Sequence, residues 1–161
     1  MDQEREETSM NKEFKTWDEV EKELKITQEQ EAEIQAILKN PEAPTFANTV
    51  EAMEKSGQLL NKVSYVFFNL REANTNDSIN AIAEEIMPEI TAHTDGINLN
   101  AELFARIKTV YDNQDKENLT TEQKMVLKKY YNNFVRGGAN LSAEDKEKFK
   151  KINSELALLS L

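Results

Sequence analysis

Few residues in this chain could do chemistry, and their spacing limits what that chemistry could be. His93 is the sole histidine and there is no cysteine. A thiolate nucleophile, a disulfide and a Cys-based zinc site are therefore excluded, as is any relay that needs a second imidazole. The HExxH pattern grips zinc with two imidazoles one helical turn apart, so His93 cannot supply it. Ala92 and Thr94 flank His93 and Asp95 follows two residues on; a packing role suits it better than ligation. Glu84, Glu85 and Glu89 resemble a carboxylate cluster, but consecutive helical residues diverge by about 100°, so they read as a solvated face. Asp112-Asn113-Gln114-Asp115-Lys116-Glu117 has the polarity of a calcium loop. It lacks the central glycine, puts Lys116 where an oxygen ligand belongs, and offers Gln123 in place of the closing glutamate. Gly137-Gly138 is too short to cradle a phosphate. No catalytic, cofactor-binding or metal-ligating residue is expected, and none of these groups assembles an active site.

The elements that would position such residues are helical. Thr16-Trp17-Asp18-Glu19 reads as a capping box for a short helix with Trp17, Val20 and Leu24 on one face. Thr27 caps a second, in which Ile34, Ile37 and Leu38 face inward, and Asn40-Pro41-Glu42-Ala43-Pro44 ends it. Thr45 opens the longest periodic stretch: Val50, Met53, Leu60, Val63, Phe67 and Leu70 lie on one helical stripe, widened by Leu59 and Val66. In that frame the aromatic run VSYVFFNL (63–70) is the last two turns of a helix, since Tyr65-Val66-Phe67-Phe68 does not alternate as a strand would. Asn76 or Asp77 caps the next helix, with Ile79, Ile82, Ile86 and Ile90 inward and Pro88 expected to kink or divide it. Asn100 starts another with Leu103, Ile107 and Val110 inward. Thr120 and Gln123 open one with Val126, Tyr130 and Phe134, closed by Gly137-Gly138. Ser142 opens the last, with Phe149, Ile152, Leu156 and Leu159 in register. The aromatic residues at these spacings are core, but adjacent pairs cannot all point inward, so Phe68 and Tyr131 are the candidates for a second interface.

The bulk properties agree with this pattern. The 161 residues suffice for one core, and 4 Gly with 3 Pro leave too little turn punctuation for an all-β chain. The expected fold is all-α, a bundle of about six or seven mostly antiparallel helices. Residues 1–13 are expected to form a disordered acidic tail and 14–161 a single helical domain. The net charge of −10 argues against a nucleic-acid partner. No apolar run reaches the roughly 20 residues of a membrane span and the N-terminus has no secretory apolar core, so no membrane partner and a cytoplasmic location are expected. The final helix stops in mid-stripe at Leu156, Leu158, Leu159 and Leu161, which suggests a chain cut short of its boundary.

Three blocks of text carry a family likeness. NPEAPTFANTVEAMEKSGQLLNKVSYVFFNLREANTND (40–77), AHTDGINLNAELFARIKTVYD (92–112) and YYNNFVRGGANLSAEDKEKFKKINSELALLS (130–160) resemble the N-terminal helical region of peptidyl-dipeptidases. These are thimet-oligopeptidase-like zinc metallopeptidases, and the resemblance runs over residues 33–161. It implies part of a large helical peptidase with a deep channel between two lobes, one wall of which these helices help to form. It implies zinc in the catalytic region that this sequence does not contain, with the missing C-terminal catalytic lobe and short peptides as partners. No zinc ligand of the family can be carried onto a residue here, so the chain as given is expected not to be an enzyme. Residues 10–33 depart from the family and distantly resemble the leader of helix-turn-helix antitoxins of the HigA type, without their DNA-reading helices. A chimeric, recombined or designed gene would account for both parts, as would a divergent family member. The expected function is a non-catalytic N-terminal helical module of such a peptidase. The alternatives are a stand-alone protein-binding or scaffold module using the apolar surplus at 156–161, and an antitoxin-like regulator.

Overall fold

Four of the longer helices begin where a short polar side chain accepts from a free backbone N–H, and these caps are ones the sequence displays. A computed structural model describes residues 26–160. The expected tail 1–13 and the capped helix at Thr16 lie outside the described residues. The first described helix, α1, is Ile26–Lys39. A π-helical turn, Phe46–Glu51, leads into the short α2, Ala52–Lys55. Then come α3 (Gln58–Ala73), α4 (Asp77–Asn98) and α5 (Ala101–Asp112). A 3-10 turn, Gln114–Lys116, separates α5 from α6 (Thr121–Arg136), and α7 is Ala143–Leu159. The described residues form an all-α bundle with no strand.

Asn76, Asn100, Thr120 and Ser142 accept from the backbone N–H of Ile79, Leu103, Gln123 and Asp145. Losing such an acceptor typically costs about 1 kcal/mol. Thr45 and Asn48 exchange reciprocal bonds, as do Thr120 and Gln123. Thr27, read as a cap, instead lies inside the first turn of α1.

Two boundaries differ from expectation. The stretch from Thr45 is not one helix: Ser56 is extended and Gly57 has φ +70°. A Cβ at Gly57 would come within 2.3 Å of the Gln30 side chain, and its N–H donates to Glu33 Oε2 at 2.7 Å. The break thus docks the chain on α1, and only a residue without Cβ fits there. Pro88 does not divide α4, which runs unbroken over 22 residues. The carbonyl of Glu84, which Pro88 cannot serve, belongs to an exposed residue that water can reach.

Neighbouring helices run antiparallel, because early residues of one meet late residues of the next. Arg71 bonds Asn80 across α3 and α4, while Phe104 stacks on Phe134 at 6.2 Å across α5 and α6. The main core joins Ile34 and Ile37 to Met53, Leu103, Ile107 and Phe134. A second cluster centres on Leu60 and Ile86, and a third on Phe46, Val50, Val110 and Leu127.

Candidate interaction surface

The last helix is held differently from the rest. None of α7 is buried, whereas α5 buries four apolar residues. Its partner is α4, met antiparallel through polar ties: Lys146 Nζ donates to the Leu99 carbonyl at 2.9 Å, and Asn153 Nδ2 to Asp95 Oδ1 at 2.8 Å. Lys146, Phe149, Asn153 and Ala157 recur at three or four residues and form the inner, partly buried face. That choice turns Ile152, Leu156 and Leu159 outward, at 60, 58 and 85% exposure. The stripe read as inward is therefore mostly the solvent face, and only Phe149 of its four members is half-buried.

The aromatic run in α3 divides in a similar way. Val63 and Phe67 pack with Leu60 and Ile86, while Tyr65, Val66 and Leu70 are exposed. Leu70 and Val66, expected inward, are thus corrected. Phe68 and Tyr131, expected to form a second interface, are corrected as well. Phe68 sits edge-to-face on Phe67 at 5.1 Å within the second cluster, and Tyr131 stacks on Tyr111 at 4.1 Å. Aromatic pairing gives both rings an internal partner.

The polar groups singled out in the sequence do structural work. His93 Nε2 lies 2.8 Å from Gln30 Oε1, tying α4 to α1. Glu84, Glu85 and Glu89 are exposed. In the polar loop, Asp112 pairs with Lys108, Asn113 Oδ1 accepts from Lys116 Nζ, and the Glu117 carboxylate accepts from the Phe46 N–H at 3.0 Å. Gly137 and Gly138 cap α6, Gly138 at φ +90°. Among the described residues no three His, Cys, Asp or Glu side chains gather to hold a metal.

One group was not foreseen. Asp95 is 6% exposed, and burial, the largest influence, raises its carboxyl pKa above the usual aspartate value against the lowering effects of Asn153 and Lys150. Its signal in the sequence is an acid on the Thr91–Asp95–Asn98 face, which meets α7. Tyr130 is also shifted: burial, then hydrogen bonding and charge at Glu54, keep its phenol protonated. Both shifts follow from packing.

No helix among the described residues is long and apolar enough to cross a membrane. No family model matches the chain. The dipeptidyl carboxypeptidase of Escherichia coli K12 is 39% identical over 133 residues, which is 83% of this chain and 20% of that protein. That of Salmonella typhimurium is 39% identical over 127 residues, 79% of this chain and 19% of the relative. A thimet-like oligopeptidase of Dictyostelium discoideum is 25% identical over 128 residues, 77% of this chain and 19% of the relative. The chain thus spans about a fifth of the length of these relatives. Most of it is homologous to one section of the dipeptidyl carboxypeptidases and, more distantly, to oligopeptidases.

Proposed function

We propose that the chain is a non-catalytic helical module of a peptidyl-dipeptidase-type zinc metallopeptidase, forming part of the substrate-channel wall in a complete enzyme. The observation that carries this reading is the coverage: 83% of the chain aligns with only 20% of a dipeptidyl carboxypeptidase. The outward apolar face of α7 supports it, because Ile152, Leu156 and Leu159 together expose more apolar surface than a helix facing only water would require. Zinc and its ligands belong, in this reading, to the section of the enzyme that the match does not cover. The module contributes shape, as a helical wall that admits short extended peptides and excludes folded ones. Short peptides and the catalytic lobe are the partners it implies, and a cytoplasmic setting is the accompanying expectation.

The test is reconstitution. The E. coli relative is expressed without its matched 133 residues, and the present chain is added as a separate polypeptide. Co-elution, weakened by Leu156→Asp, is expected. A chain that stays monomeric beside the soluble remainder contradicts the reading. The same outward face also suits a stand-alone binding module, which would leave the remainder unbound and form its own stable complex. An antitoxin-like regulator rests on residues 10–33 alone; absence of binding to its own upstream DNA at low salt removes it.

A further inference from the structure

Between α4 and α7 lies a groove of about 440 Å³ whose walls include Met87, Thr91, Phe149, Leu156 and Ala157. Asp95 stands in its wall and is also shared with a smaller groove of about 210 Å³ behind it. Oδ1 of this buried carboxylate accepts from Asn153 Nδ2, while Oδ2 is buried with no hydrogen-bond partner among the described residues. Among the described residues no cation pairs with it directly; the charge of Lys150 acts on it, but that Nζ donates to Glu147 at 2.7 Å. A buried acceptor left open in this way is costly unless something donates to it.

The geometry selects the donor. A guanidinium prefers two in-plane carboxylate oxygens, and Asn153 already occupies one. A metal ion needs several ligands, and Asp95 stands alone. An ammonium needs a single oxygen. Apolar walls suit the methylene stem that carries such a group. Asp95 is itself one of the residues lining the groove, so a ligand seated there lies against its carboxyl side chain.

We propose that the α4–α7 groove binds a primary ammonium group on an apolar stem, as in a lysine side chain, with Asp95 Oδ2 as its acceptor and Asn153 fixing the carboxylate. The inference does not depend on the peptidase reading.

The test is NMR titration of the whole chain, following the Asn153 side-chain amide and the Asp95 backbone amide. The probes are n-butylammonium, N-acetyl-lysine amide, N-acetyl-arginine amide and n-butanol. Saturable shifts with the two ammonium probes are expected, with at least tenfold weaker binding in Asp95→Asn. Tighter binding of the lysine derivative assigns the source to a peptide, and tighter binding of n-butylammonium to free amines. Ala157→Leu fills the groove while leaving Asp95 intact, and should also weaken n-butylammonium; this second variant serves if Asp95→Asn misfolds. Equal shifts with n-butanol, stronger binding of the arginine derivative, or unchanged affinity in either variant would overturn the proposal.

Discussion

Ile107 and Leu156 occupy equivalent places in the sequence pattern, each at helical spacing from other apolar residues, yet the structure gives them opposite roles. Ile107 is fully buried in the main core beside Leu103 and Phe134, whereas Leu156 keeps 58% of its surface in water. Burying a whole leucine side chain contributes about 2–3 kcal/mol, so truncating one that is more than half exposed should cost about 1 kcal/mol. Ile107→Ala removes the same kind of group and also leaves a cavity in the fully buried main core. Its expected cost is about 3–4 kcal/mol. Urea unfolding followed by far-UV circular dichroism gives both values, provided the slope with denaturant stays constant. In thermal unfolding the two variants should fall by roughly 3 °C and 10 °C. If Leu156→Ala costs as much as Ile107→Ala, the outer face of α7 is packed within this chain. The case for an interface there then fails.

Three further outcomes follow from local geometry. Thr120→Ala removes the acceptor for the Gln123 N–H and one half of a reciprocal cap, and should destabilise by about 1 kcal/mol in the same urea assay. Gly57→Ala forces an L-residue to φ +70° and drives a Cβ into Gln30, so a loss of about 1–3 kcal/mol is expected. Gln30→Ala in the same chain should recover part of it, and no recovery would place the strain in the backbone alone. Asp95 has a folded-state pKa above its ordinary 3.8, so the folded form holds the proton more tightly than the unfolded one. Its stabilising contribution is then present below that value and lost as pH rises through the folded-state pKa. Asp95→Asn should remove this loss and be relatively more stable at pH 7 than at pH 3; the opposite trend would mean that Asp95 is held by a positive charge.

The sequence showed the helices more clearly than their breaks and faces. Caps at Asn76, Asn100, Thr120 and Ser142 were readable because each is a local hydrogen bond within one turn. The interruption at Gly57 was hidden by periodicity, since Met53 and Leu60 are seven residues apart and keep one stripe across the break. The signal was what filled the two intervening positions on that stripe, Ser56 and Gly57, neither of them apolar. In α7 the pattern chose the wrong face. Leucines at 156 and 159 outweighed Asn153, yet Asn153 meets a buried carboxylate on α4, a contact 58 residues away in sequence. Periodicity can show that a helix has an apolar stripe, but whether that stripe faces its own domain depends on what else is available to cover it. Asp95 was passed over for the same reason, because its burial comes from α7 and not from its neighbours in the chain.

The proposal that these helices form a non-catalytic module of a peptidase is tested most directly by activity. The purified chain is incubated with zinc and a short unstructured peptide, and released dipeptides are measured by mass spectrometry. The expected result is no release from the chain alone at any zinc concentration. Zinc-dependent release of dipeptides from the substrate C-terminus, in proportion to the chain present, would contradict it.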